Sequence, residues 1–155
     1  MSCSGFLCIH EKNSSISDLN TIMEQTSLFF DKVSLVTQYP EMLGNFKFNI
    51  IVPFYPDSFF YTIYTGIFFL ETEKIIAASS NFKFSDLNIF NILNKNLHKG
   101  VDAAMFYKNN NPEPLPGAYS YKIINKFKNT DPEKADDVFL KRLKINKIKK
   151  GGYEK

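Results

Sequence analysis

The feature that most constrains this chain is a repeated change of hydrophobic period, from short β-branched runs to longer amphipathic ones and back. Residues 5–10, 32–37, 48–52, 74–78 and 102–107 read as strands, the second and third closed by Tyr39-Pro40 and Pro53. Between them, Ile16, Leu19, Ile22, Met23, Thr26, Phe29 and Phe30 recur at three- and four-residue spacing behind Ser14–Ser17, which offers N-cap chemistry. Leu87, Phe90, Leu93 and Leu97 form a similar stripe in 86–97, with Asp86 at its start and Gly100 as its stop. The segment 59–69 is apolar almost all round. It reads as a helix, because a strand there would abut the strand from Lys74 without a turn. After 107, Asn109–Pro112 forms a turn, residues 114–119 follow, and helices are expected over 121–128 and 135–140. Strands alternating with helices imply a mostly parallel sheet covered on both faces, a three-layer α/β/α, Rossmann-like domain.

At 155 residues the chain is long enough for one core and short for two domains, so residues 1–140 are read as one domain. A hydrophobic share of 44% and an aromatic share of 15%, from 16 Phe and 8 Tyr, supply the apolar area to fold it. The net charge of +3 is unevenly placed. Residues 141–155 hold seven of the 19 basic side chains and only Glu154 of the 16 acidic ones, which leaves the body near −3. These residues read as a solvated basic tail, and the body lacks the broad positive footprint of a nucleic-acid binder.

No N-terminal pattern resembles a secretory signal, and the twelve apolar residues 59–70 fall short of the roughly twenty that a membrane span needs. The expectation is a cytoplasmic protein with neither nucleic acid nor membrane as partner. Cys3, Cys8 and His10 make a weak metal pattern that an edge strand of small apolar residues explains equally well. His98 sits in the last turn of a helix, where a cation suits the dipole.

Three stretches then resemble the molybdenum cofactor guanylyltransferase family, a group of nucleotidyltransferases. Phe29-Phe30-Asp31-Lys32-Val33-Ser34-Leu35-Val36-Thr37 is similar to its helix end and second strand. Tyr55-Pro56 with Ile63-Tyr64-Thr65-Gly66-Ile67 resembles the loop and helix after its third strand. Asp102-Ala103-Ala104 through Glu113-Pro114-Leu115-Pro116-Gly117-Ala118-Tyr119-Ser120 resembles a later strand and its Pro-Leu segment. The resemblance covers about 100 residues and implies the nucleotidyltransferase fold. It also implies transfer of GMP from GTP to a molybdopterin phosphate with Mg²⁺, which needs phosphate donors and an acidic metal ligand.

Those parts are where this chain departs from the family. The family's Leu-Ala-Gly-Gly-x-Ser-x-Arg-x-Gly loop is replaced by Ile9-His10-Glu11-Lys12-Asn13-Ser14-Ser15, with no glycine to bring backbone N–H groups round a phosphate. Ser80 falls where the metal-binding Asp belongs, in Ala78-Ser79-Ser80-Asn81-Phe82, and a neutral hydroxyl is a poor Mg²⁺ ligand. Asp57 and Asp86 are the carboxylates near enough in sequence to compensate. Asp57-Ser58-Phe59-Phe60-Tyr61-Thr62 replaces a Gly-Pro-Leu-x-Gly run near the base, and the family's Asn-x-Asn-Thr pterin motif has no counterpart.

What the resemblance implies is therefore a pseudoenzyme, with no catalytic residues, no metal and no cofactor. Asp57, Ser80, Asn81 and Glu113 are vestigial positions of the substrate cleft, and a protein of molybdoenzyme maturation is the partner. The alternative is an active guanylyl- or cytidylyltransferase using GTP or CTP with Mg²⁺, its site rebuilt from Asp57, Asn81 and Lys12. A third reading makes 54–69 an interaction surface rather than core.

Overall fold

The computed structural model describes residues 2–83 and 87–149. The strands are β1 (Ser2–Ile9), β2 (Lys32–Val36), β3 (Ile50–Ile51), β4 (Thr72–Ser79), β5 (Ala103–Lys108), β6 (Asn111–Ser120) and β7 (Ile145–Lys149). The helices are α1 (Ile16–Thr26), α2 (Phe59–Leu70), α3 (Asn88–Asn96), α4 (Ile123–Lys126) and α5 (Ala135–Arg142), with a 3₁₀ turn at Pro40–Met42. One seven-stranded sheet runs β3-β2-β1-β4-β6-β5-β7, parallel in every pairing except those of β6, and so bears out the expected α/β class.

The period-2 alternation of each strand sorts its side chains into two cores. Leu7, Ile9, Val36, Ile75, Ala77, Met105 and Tyr119 pack against α2, α4 and α5, while Phe6, Cys8, Leu35, Ile76, Ala78 and Ala104 face α1 and α3. Gly66 lets α2 lie close on the sheet, since a Cβ there would stand 2.6 Å from Leu7 Cδ1 and 3.2 Å from Val36 Cγ2. Helix α2 starts at Ser58, whose hydroxyl accepts the Tyr61 amide at 3.1 Å, and stops at Glu71, whose left-handed backbone (φ 55°) turns the chain directly into β4.

Four expectations need correction. Within the stretch read as a solvated tail, Ile145–Lys149 is a sheet strand parallel to β5, held on its core side by the buried Ile148. The Asn109–Pro112 turn is tighter than expected. Asn109 and Asn110 alone turn the chain, both at positive φ, and Asn111 already opens β6. Cys8 lies on β1, which sits inside the sheet between β2 and β4, so the edge-strand explanation of Cys3 and Cys8 fails. Burial pushes the Cys8 thiol up to about 12, the position of a core side chain. Last, 54–69 divides, with Phe60, Ile63 and Ile67 buried and Phe54, Phe68 and Phe69 exposed. Asp86, expected at the start of the third helix, lies outside the described residues.

Candidate functional site

The connection order places α1 on one face of the sheet and α2 on the other, and the direction in which successive strands are added reverses between β1 and β4, although the two run parallel. Ligands of open α/β sheets bind at such a switch point, beyond the carboxyl ends of the strands. Here that edge is built from the loops after β1, β2, β3 and β4. It holds a cavity of about 410 Å³ whose polar lining includes His10, Glu11, Lys12, Gln38, Tyr39 and Asp57. A second, more open groove of about 540 Å³ lies on the far side of the β1–α1 loop and is lined by Asn13, Ser14, Asp18, Gln25, Ser80 and Asn81. The loop is thus a wall between them, with Glu11 and Lys12 facing one space and Asn13 and Ser14 the other.

That wall is fixed by hydrogen bonds. The buried Ser80 hydroxyl oxygen accepts the Glu11 amide at 2.8 Å and lies 2.6 Å from Ser14 Oγ, which in turn donates to Asn81 Oδ1 at 3.3 Å. One directional chain satisfies all three contacts, from Glu11 N–H to Ser80, from Ser80 O–H to Ser14, and from Ser14 O–H to Asn81. Two more amides of the loop are also engaged, His10 N–H to Val36 O at 2.9 Å and Ser14 N–H to Glu11 O at 2.9 Å. At the start of α1, Ser15 Oγ accepts the Asp18 amide at 3.1 Å, and the Asp18 carboxylate itself stands in the first turn. A helix N-terminus attracts anions through free N–H groups and its dipole. Asp18 already supplies the negative charge there.

On the cavity side, His10 Nδ1 lies 2.7 Å from Thr37 Oγ1, which also accepts the Tyr39 amide at 2.8 Å. Burial holds the His10 ring below its ordinary pKa of 6.5, against the smaller opposing pulls of the Glu11 carboxylate and a Ser14 backbone hydrogen bond. Because Thr37 Oγ1 already accepts the Tyr39 amide, a neutral ring with its hydrogen on Nε2 lets Nδ1 accept the Thr37 hydroxyl. The His10 and Tyr39 rings meet edge to face at 6.0 Å, and Lys12 Nζ stands 5.5 Å from the Tyr39 ring centre. Glu11 is steadied by a 3.4 Å contact from Ser79 Oγ.

The positions expected from the sequence are only partly brought together. Ser80 and Asn81 meet each other across Ser14, Asp57 lines the other cavity beside Lys12, and Glu113 lies on β6 opposite Phe106 and lines neither. Leu115, two residues on, reaches the cavity wall instead. A rebuilt site of Asp57, Asn81 and Lys12 would therefore have to act across the β1–α1 loop. The donors do not fit Mg²⁺: Ser80 is neutral and engaged, and among the described residues no three of His, Cys, Asp and Glu gather as ligands. His10, Thr37 and Tyr39 were missed as a group, although His10 and Thr37 close the first two runs read as strands and Tyr39 lies two residues beyond the second, where the switch-point rule locates sites.

No protein-family model matches the sequence, and no curated protein matches it. Solved structures do match. A protein from Aquifex aeolicus VF5 superposes with a TM-score of 0.71 at 15% identity, covering 96% of this chain and 86% of that one. Molybdopterin-guanine dinucleotide biosynthesis protein A from Archaeoglobus fulgidus gives 0.70 at 15% identity over 94% and 83%. The 4-diphosphocytidyl-2C-methyl-D-erythritol synthase of Anaerococcus prevotii gives 0.59 at 12% over 96% and 87%. The chain therefore has the nucleotidyltransferase fold, the class of architecture that its sheet order and switch-point cleft define. Identities this low establish the fold alone.

Proposed function

We propose that this protein is a non-catalytic relative of the molybdenum cofactor guanylyltransferases, a binding or regulatory protein in molybdenum cofactor biosynthesis that acts on a protein of molybdoenzyme maturation. The observation that carries the non-catalytic reading is the Glu11–Ser80–Ser14–Asn81 chain. It commits the Glu11 amide and the Ser14 hydroxyl of the loop that the resemblance sets against the family's phosphate loop, and it engages the hydroxyl that stands for the metal ligand, which supports the reading. The Asp18 carboxylate at the start of α1 adds a repulsion toward a phosphate at that helix end. The pathway assignment draws support from the three sequence stretches that resemble the guanylyltransferases and from the shared fold.

Calorimetry with GTP and with CTP, each with Mg²⁺, tests the first part. No heat and no thermal shift at millimolar nucleotide is the expected result. Binding tighter than about 100 μM, a gain of roughly 5.5 kcal/mol, overturns it in favour of an active guanylyl- or cytidylyltransferase. Removing the protein from its cell and assaying molybdoenzymes tests the second part. Reduced activity supports it, and undiminished activity overturns it.

A further inference from the structure

The two edges of the sheet differ in kind. Strand β7 ends the sheet on one side with Lys147 and Lys149 exposed, the charged edge by which sheet proteins resist pairing. At the other end, β3 and the adjoining end of α2 carry no such guard. From Phe48 to Leu70 the sequence holds one charged residue, Asp57, in a chain with 19 basic and 16 acidic side chains.

Ile50 (42% exposed), Val52 (47%), Phe54 (47%), Phe68 (41%) and Phe69 (54%) present their side chains there. The three phenylalanines form one cluster, with ring centres 5.7 Å apart for Phe54 and Phe68, 5.6 Å for Phe54 and Phe69, and 5.2 Å for Phe68 and Phe69. Phe54 is anchored from behind, its amide donating to Thr65 Oγ1 at 3.0 Å, so the cluster is held on the helix rather than loose on a loop.

We infer that this uncharged face of β3 and α2 is where two copies of the chain join in a symmetric dimer. At roughly 150–200 Å² per side chain, the stated exposures leave about 400 Å² of apolar surface on these five residues, the size of patch that is often functional. Two copies bring together roughly 800 Å². That is about the apolar share of a homodimer interface of roughly 1,200 Å² in total, since such interfaces are about 65% apolar. The absence of charge favours a second copy over a different protein. A transient partner is recognised through a polar and charged composition close to that of the ordinary surface, which this patch lacks. A two-fold interface instead needs self-complementarity, and Phe68 and Phe69, at 85° to each other, offer both a ring edge and a ring face to their symmetry mates.

Sedimentation equilibrium of the full chain from about 1 to 200 μM reads the dissociation constant directly. The expected result is a dimer with a constant at or below about 10 μM, weakened at least 30-fold by Phe69→Glu and by Phe54→Glu. Lys147→Glu, on the opposite edge, leaves it unchanged. Because both Phe positions are exposed, the variants keep the melting temperature measured in monomer-range dilution. A wild-type chain that stays monomeric throughout overturns the inference. So does a dimer that the Phe54→Glu, Phe69→Glu double variant leaves intact.

Discussion

Ser14 Oγ and Ser80 Oγ stand 2.6 Å apart, and this contact joins the turn out of β1 to the end of β4. The same Ser80 oxygen takes the Glu11 amide, so one side chain governs both ends of the turn. Ser80→Ala leaves the Glu11 N–H without its side-chain partner and the Ser14 hydroxyl with Asn81 Oδ1 alone, an expected loss of about 1–2 kcal/mol. Amide exchange at Glu11 speeds up while that of β1 itself stays slow, which separates opening of the loop from global unfolding. Unchanged exchange at Glu11 contradicts the role given to Ser80.

His10 carries a pH signature. Burial lowers its folded pKa below 6.5, so on acidification the unfolded chain binds a proton before the folded one. Stability from this site is complete above pH 6.5 and is lost as pH falls from 6.5 through the folded value. Proton NMR of the His10 ring is expected to give a midpoint below 6.5, and His10→Gln flattens this part of the stability profile. A midpoint at or above 6.5 contradicts the buried neutral ring.

Most of the architecture was legible because the sheet is covered on both faces, which writes long apolar strands and striped helices into the sequence. The two strands not read from the sequence have different physical causes. In β7, Ile145-Asn146-Lys147-Ile148-Lys149 buries only one face at a sheet edge, so its outward lysines resemble a solvated tail. In β6, Pro112, Pro114 and Pro116 argue against a strand inside a sheet, yet pairing with β5 jumps from Gly117 to Glu113, so Pro114 and Pro116 sit in a bulge that asks nothing of the missing N–H groups. The candidate site was legible as an absence, the missing glycines and arginine of a phosphate loop. What fills the place was not, because the Ser14–Ser80 contact spans 66 residues and neither serine carries a motif of its own.

Helix α2 is capped from a distance. Asp136 of α5 accepts Ser58 Oγ at 2.8 Å and the Phe60 amide at 2.7 Å through Oδ1, and the Phe59 amide at 3.2 Å through Oδ2. A carboxylate here meets free N–H groups and the positive end of the dipole together. Asp136→Ala is expected to cost about 1–2 kcal/mol in urea unfolding. Because Ser58 and Asp57 adjoin, the change also loosens the cavity wall at Asp57, read as faster exchange at Phe59 and Phe60. A stability loss under about 0.3 kcal/mol contradicts the capping role.

The buried Asp102 joins three elements, accepting Lys126 Nζ at 2.6 Å from the end of α4 and the Lys144 amide at 2.8 Å just before β7, with Lys122 Nζ at 3.9 Å. Burial alone raises a carboxyl pKa and is the largest single influence, but the Lys126 and Lys144 hydrogen bonds and the charges of Lys126 and Lys122 together outweigh it. The net shift is below 3.8. The folded state therefore holds this proton less tightly than the unfolded one. The stabilisation is present above about pH 3.8 and is lost as pH falls through the depressed folded value. Asp102→Asn keeps the shape and removes the charge; the Lys126 ammonium and the Lys144 amide both donate to Oδ2, so they are left with a neutral amide oxygen in place of a carboxylate. An expected loss of about 1–3 kcal/mol at neutral pH follows, with wild type and variant converging as acid is added. Strand β7 is the element freed first, since the Asp102 carboxylate holds its entry, so exchange at Ile145–Lys149 rises more in the variant than exchange in β1 or β4. A variant equally stable at neutral pH, or one whose deficit persists undiminished at low pH, shows that the lysines are solvated neighbours of Asp102 rather than its partners.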